Sequence, residues 1–159
     1  MEKTRWLRDF IEELCESKAP DKVQDSANDG FHGGPHGWES VLRLKAPTAD
    51  ELHVQRSGVP HRVRIRYYET TKELPGRDKL VMDLEVVLLV STTGEWMPIE
   101  FARASTGRHT YVQIDGSTND LSVIDAMGSP LGQGACSRYC DGWAFHLRKQ
   151  GWLEKGIVI

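Results

Sequence analysis

Arg62-Val63-Arg64-Ile65-Arg66-Tyr67 and Val81-Met82-Asp83-Leu84-Glu85-Val86 are the two stretches of sequence that decide the fold. In each stretch every second residue is apolar, and the first stretch carries arginine at the positions between. Side chains alternate between the two faces of a β-strand, so a period of two predicts strands with one face toward a core.

A turn signal separates these two predicted strands. Pro75-Gly76 lies between them, and a proline followed by a glycine is typical of a tight reversal. The strands are therefore expected to pair antiparallel. That pairing would bring Arg64 and Arg66 near Asp83 and Glu85 on one face, while the apolar residues meet on the other.

Further strands extend this hairpin into a meander. Residues 38–46 and 51–56 have strand patterns before it, Gly94 predicts a second reversal after it, and a last strand is expected over 110–115. The strand after Gly94 is expected to place Met97, Ile99 and Phe101 on the core face. The opposite face is then half apolar, and we expect a helix to cover it; its apolar residues are Val87, Leu89, Trp96 and Pro98.

A helix is predicted at each end of the chain. The first has Thr4 as its cap, ends before Pro20 and has an apolar stripe of Trp6, Leu7, Phe10, Ile11, Leu14 and Cys15. The second spans residues 137–150, with Gly151 as a left-handed cap and Trp152 folding back as its apolar partner. Gly142 inside this helix costs about 1 kcal/mol relative to alanine, which indicates a packing partner pressed against that side.

Length and charge restrict the class of protein. The chain has 159 residues, and we expect one domain, 1–159, of the α+β class, in which an antiparallel meander of about five strands packs against N-terminal and C-terminal helices. A net charge of -3 gives no general attraction to nucleic acid or to a membrane. Apolar runs are shorter than the roughly 18 residues of a membrane span, and three cysteines suit free thiols. We expect a cytoplasmic protein without a cofactor.

Two histidines and two cysteines are candidate zinc ligands. Zinc takes four nitrogen or sulfur ligands, and His32 and His36 lie in a glycine-rich stretch while Cys136 and Cys140 lie on the last helix. Each pair is separated by three residues rather than the usual two, and both cysteines fall on the apolar stripe. The pattern therefore favours buried core cysteines over a metal site.

Two further patterns suggest phosphate chemistry. Residues 128–134 contain three glycines before the last helix, but the lysine of a P-loop is missing, so a connecting loop is favoured. Asp83, Glu85 and Glu100 could hold Mg²⁺ for phosphodiester hydrolysis if they share one sheet face. Ala102 stands where a lysine is common in such sites, and the nearby arginines favour cross-strand ion pairs instead.

The arginine ladder is the favoured candidate for a binding site. Arg62, Arg64 and Arg66 are expected about 7 Å apart along one strand, near the spacing of phosphates or carboxylates on a partner. His61, Arg103 and Arg108 are candidates to join them. Tyr68 and Trp96 are expected on the second sheet face, where an uncovered apolar patch would be an interface. The alternation by itself favours the other interpretation, in which the arginines lie on a solvated face and are paired internally.

Five short motifs are spread over the last three quarters of the chain. They are Gly37-Trp38, Tyr67-Tyr68-Glu69, Met82-Asp83-Leu84-Glu85-Val86, Trp96-Met97-Pro98, and Trp143 with Leu147-Arg148-Lys149-Gln150-Gly151-Trp152. Together they resemble an uncharacterised domain family of small proteins carried by bacteria, their plasmids and their phages. The resemblance implies an accessory protein of a mobile element and assigns no catalytic residue.

We therefore expect a small accessory protein of a phage or plasmid that acts by binding a protein partner. Inhibition of a host defence system is one form that this activity could take. Nucleic acid is the second class of partner for the arginine face. The alternative function is a metal-dependent nuclease or another nucleic-acid-processing enzyme that uses Asp83, Glu85 and Glu100.

Overall fold

The computed structural model describes residues 1–20, 37–58, 61–74, 76–114, 121–123 and 132–159. Its helices are α1 (Arg5–Lys18), α2 (Gln133–Gln150) and α3 (Trp152–Lys155). Its strands are β1 (Trp38–Lys45), β2 (Glu51–Ser57), β3 (Arg62–Leu74), β4 (Arg77–Val90), β5 (Trp96–Arg103), β6 (Gly107–Thr110), β7 (Val112–Ile114), β8 (Leu121–Val123) and β9 (Ile157–Val158).

Strands β1 to β6 form an antiparallel meander, and β9 pairs with β1 at the outer edge, which makes seven strands. Strands β7 and β8 pair separately. The predicted α+β meander with helices from both ends is confirmed. The predicted strand over 110–115 is divided at Tyr111 into β6 and β7. Strand β9 has two residues, too few to show a period in the sequence.

The β3–β4 hairpin follows the predicted pairing with one exception. Arg66 lies opposite Glu85, and Arg64 lies opposite Val87. Tyr67 pairs with Leu84 but Tyr68 pairs with Met82, so Asp83 is the extra residue of a β-bulge. Because the bulge turns Asp83 out of the ladder, the prediction that Asp83 shares a face with Glu85 is wrong.

All three helices lie on the same face of the sheet within the described residues. The ring of Tyr139 in α2 contacts Phe101 at 5.1 Å, and Trp152 in α3 contacts Tyr67 at 6.0 Å. Helix α1 joins them because Leu7, Phe10, Ile11, Leu14 and Cys15 are buried in the same core. No described helix lies over the opposite side, which the sequence predicted a helix to cover. We call the first side the helix-covered face and the opposite side the open face. The open face carries Trp38, Arg43, His53, Arg62, Arg64, Arg66, Glu85 and Arg108.

A second bulge, in β5, changes the face of the sheet on which several residues lie. Trp96 lies opposite Val90 and Pro98 opposite Leu88, so both belong to the helix-covered face, and Met97 lies opposite Leu89 on the open face. Val87 pairs with Glu100, which leaves Ile99 as the extra residue. The bulge returns Phe101 to the core, as predicted, but the predicted faces of Trp96, Pro98 and Met97 are wrong.

The contact between α1 and α2 is polar at one end. The Thr4 hydroxyl and the Trp6 N–H donate to Oδ1 of Asp141, at 2.6 and 2.9 Å. Thr4 is at the predicted cap position, but Asp141 of the neighbouring helix supplies the capping oxygen. Trp6 was predicted in the apolar stripe, yet it is 50% exposed.

The end of α2 is as predicted, and its interior is not. Gly151 has a φ of 81°, and the Trp152 side chain is buried against the core. Gly142 is exposed, and a Cβ added there would meet no atom within 4 Å. The prediction that a packing partner presses against Gly142 is therefore wrong.

Candidate functional site

The open face has a carboxylate beneath a layer of arginines. Glu85 on β4 is 1% exposed and accepts hydrogen bonds from Nε of Arg66 and, at 2.6 Å, from an Nη of Arg108. Arg64 is 3.8 Å from the same carboxylate. The side chains of Arg64, Arg66 and Arg108 are 19%, 29% and 47% exposed. An approaching molecule therefore meets guanidinium groups, while the balancing charge lies below them.

The hydrogen bonds from the arginines determine the protonation state of Glu85. Burial alone would raise the pKa of Glu85, but the hydrogen bonds from Arg66 and Arg108 hold that pKa below its usual value. The carboxylate is therefore ionised at neutral pH. Cross-strand ion pairing, which the sequence favoured for Arg66 and Glu85, is confirmed.

Arg64 is only weakly compensated by hydrogen bonds. Its Nε has no hydrogen-bond partner, and its nearest acceptor is Gln55 at 3.5 Å, at the limit of a hydrogen bond. Its guanidinium instead lies 3.8 Å from the ring centre of Trp38, and that of Arg62 lies 5.0 Å from the same centre. Trp38 thus holds two arginines in place by cation–π contacts.

A second ion cluster lies beside the first on β1 and β2. Glu51 contacts Nε2 of His53 at 2.9 Å and Arg43 at 3.5 Å. The ring of His53 contacts Tyr68 on β3 with a centroid separation of 4.6 Å. Tyr68 therefore lies on the open face, as predicted.

Cations outnumber carboxylates on the open face of β1 to β6. Apart from the end of the β3–β4 hairpin beyond Tyr68 and Met82, the strand registers place six cations there, Arg43, Lys45, Arg62, Arg64, Arg66 and Arg108, against three carboxylates, Glu51, Glu85 and Glu100. The chain as a whole has a net charge of -3. The positive potential is therefore a local property of this face, which the composition does not reveal.

The structure divides the predicted binding residues between the two faces. Arg62, Arg64, Arg66 and Tyr68 lie together on the open face. Trp96 is 3% exposed in the core, and Arg103 lies opposite Leu84 on the helix-covered face, with its guanidinium 5.7 Å from the ring centre of Tyr139.

Four residues of the open face were missed by the sequence reasoning: Trp38, Arg43, Glu51 and His53. The sequence contained a signal for three of them, because Glu51 and His53 alternate with Leu52 and Val54 in the predicted strand 51–56, and Arg43 alternates with Leu42 and Leu44 in the predicted strand 38–46. Trp38 has no such signal, since a tryptophan beginning a strand is commonly part of the core.

The three carboxylates of the nuclease hypothesis are not together. Glu85 and Glu100 flank Arg108, which is 3.8 Å from Glu100, whereas Asp83 borders a cavity on the helix-covered side. Both oxygens of Glu85 face guanidinium nitrogens. Among the described residues, no group of three histidine, cysteine or carboxylate side chains could hold a metal ion.

The cysteines of α2 are core residues, as the sequence favoured. Cys136 and Cys140 are buried, and their mutual hydrogen bond together with burial raises the pKa of Cys140 well above its usual value. His32 and His36, the other two ligands of the zinc hypothesis, lie outside the described residues. So does most of the glycine-containing stretch 128–134.

Comparisons of the chain with family models, with curated proteins and with solved structures found no match. Within the described residues, the helices are all too short or too polar to cross a membrane.

Proposed function

We propose that the protein acts by binding a protein partner that presents an acidic surface to the open face. The observation that carries the proposal is the layered charge of this face, with guanidinium groups outside and Glu85 buried beneath them. Such a layer is oriented before a partner arrives, because Trp38 and Glu85 already hold the arginines in place. Pre-ordered side chains lower the entropy cost of binding.

Arg64 and Arg62 are the residues expected to contact the partner's carboxylates. Arg66 and Arg108 use hydrogen bonds on Glu85, whereas Arg64 has spare donors and Arg62 makes one hydrogen bond, to the Ser57 hydroxyl at 3.2 Å. Guanidinium groups bind carboxylates through paired hydrogen bonds, which add direction to the charge attraction.

The test is capture of partners from a bacterial lysate by the tagged chain and two matched variants. R62Q/R64Q removes two charges from the open face without placing a new carboxylate next to Glu85. R5Q/R138Q removes two charges from the helix layer, where these side chains are 76% and 71% exposed. The proposal predicts a partner that the control variant retains and that R62Q/R64Q binds at least about tenfold more weakly.

Two results would count against the proposal. Equal recovery of every partner by both variants would show that the open face does not take part in binding. Loss of the partner after nuclease treatment of the lysate would identify nucleic acid as the ligand of the open face. The arginines would then bind its phosphates and not the carboxylates of a protein.

The biological setting of the proposal comes from the motif resemblance: an accessory protein of a phage or plasmid that inhibits a host defence system. Expression of the chain in a defence-carrying strain should then raise the plating efficiency of a phage that this defence restricts. R62Q/R64Q should lose the effect, and R5Q/R138Q should keep it. An unchanged plating efficiency on strains with each of several defence systems would contradict this role.

A further inference from the structure

A cavity of about 290 Å³ lies on the helix-covered side, away from the open face. Helix α2 forms one wall with Tyr139 and Trp143, and Tyr67 of β3 contributes a third aromatic ring. Burial and a hydrogen bond to Asp50 raise the pKa of Tyr67 above its usual range, so its phenol stays protonated. The ring of Tyr67 therefore stays uncharged in the wall of the cavity.

Three carboxylates border this cavity, and they differ in how they are used. Asp50 accepts a hydrogen bond from the Tyr67 hydroxyl at 2.7 Å and from the Thr70 N–H at 2.9 Å. Glu69 and Asp83 form no side-chain hydrogen bond or ion pair within the described part of the chain. The bulge in β4 is what directs Asp83 here, and bulges frequently redirect a side chain next to a functional site.

Arg103 borders the same cavity and carries the opposite charge. Its Nε is buried without a hydrogen-bond partner, and its guanidinium contacts the ring of Tyr139. Although Arg103 and Asp83 approach from neighbouring strands, no ion pair joins them among the described residues. One guanidinium and two carboxylates therefore face one small space without forming an ion pair with each other.

We propose that this cavity binds a basic α-amino acid. Its carboxylate would meet Arg103, its α-ammonium group Asp83 and its side-chain ammonium group Glu69, so each of these three side chains would gain one group of opposite charge. The volume is at the low end of ligand sites, which fits a small molecule. The aromatic walls suit an alkyl chain that ends in a cation. A metal ion is disfavoured because the described carboxylates do not converge on one point.

The first test is calorimetric titration of the whole chain with three probes. L-Lysine has all three charged groups, cadaverine lacks the carboxylate, and norleucine lacks the side-chain ammonium. Each missing group removes a charged hydrogen bond, so cadaverine and norleucine should each bind about tenfold more weakly than lysine. The absence of saturable lysine binding, or equal affinity for lysine and cadaverine, would overturn the proposal.

The second test assigns each preference to one side chain. Arg103→Gln should abolish the preference for lysine over cadaverine, and Glu69→Gln should abolish the preference for lysine over norleucine. Glu16→Gln, on the exposed side of α1, is the matched control and should change neither. Thermal unfolding of each variant shows whether it is folded. If Arg103→Gln is not folded, the relative affinities of the unmodified chain for lysine, cadaverine and norleucine test the proposal.

This site is independent of the open face. R62Q/R64Q should therefore bind lysine with unchanged affinity. Loss of lysine binding in that variant would contradict the assignment of the ligand to the cavity.

Discussion

Replacing Glu85 by glutamine removes the buried charge that holds the arginines of the open face in place. Glutamine has nearly the same size as glutamate and keeps one acceptor oxygen, but it carries no negative charge. Arg66 and Arg108 both donate to the carboxylate, and Arg64 lies 3.8 Å away. The substitution therefore isolates the electrostatic contribution of one residue.

The expected loss follows from these contacts. A hydrogen bond to a charged group stabilises a protein by about 1.5–3 kcal/mol, and the amide oxygen retains one of the two. The arginines are partly exposed and regain water when the charge is removed, so we take the lower part of the range, about 2 kcal/mol. For a domain of this size the midpoint of thermal unfolding should fall by about 4–8 °C.

The assay is thermal unfolding as a function of pH, with Glu100→Gln as the matched control. Glu100 is 31% exposed and 3.8 Å from Arg108, so its loss should change stability by less than about 0.5 kcal/mol. The folded-state pKa of Glu85 is below its usual value of 4.5. The stabilisation that the Glu85 charge gives to the fold is therefore complete above about pH 4.5 and is lost as the pH falls through the folded-state pKa. The difference between the unmodified chain and Glu85→Gln should narrow below about pH 4.5.

Two outcomes would refute this reasoning. If Glu85→Gln unfolds at the same temperature as the unmodified chain, the ion pairs of the open face do not stabilise the fold. If the difference persists unchanged to pH 3, it comes from packing and not from the charge.

Three further predictions concern the helix layer. Gly142→Ala should stabilise the chain by about 0.5–1 kcal/mol in urea unfolding, because the site is exposed and helical, whereas Gly151→Ala, at a φ of 81°, should destabilise it. Asp141→Ala should cost about 1–2 kcal/mol in the same assay, since it removes the capping oxygen of α1; a smaller loss than that of Asp9→Ala would contradict this role. The three cysteines are buried, and burial raises the pKa of Cys15 to about 11, so a thiol reagent at pH 8 should label them only after unfolding; fast labelling of the native chain would show that this core is open.

The sequence predicted the pairing of β3 with β4 because alternation over six residues and a Pro-Gly turn are strong local signals. It could not predict the bulges at Asp83 and Ile99, since one extra residue in a strand leaves the local pattern almost unchanged while reversing every face beyond it. These bulges account for the misplaced Asp83, Trp96, Met97 and Pro98.

The candidate site was predictable only in part for the same reason. Alternation placed Arg62, Arg64 and Arg66 on one face, and the structure agrees. The contacts of Trp38 with Arg64 and of Glu51 with His53 depend on which strands are neighbours, which the local sequence does not contain. Gly142 was misinterpreted because a glycine in a helix has the same sequence signature whether or not a partner packs against it.

Arginine footprinting of the complex is the most direct test of the open face as the binding surface. Butanedione would modify exposed arginines in the free chain and in the captured complex, with mass spectrometry as the readout. Arg43 and Arg108, 50% and 47% exposed, should be protected by the partner, while Arg5 and Arg138 on the helix layer stay reactive. Protection of Arg5 and Arg138 with unchanged reactivity of Arg43 and Arg108 would contradict the account.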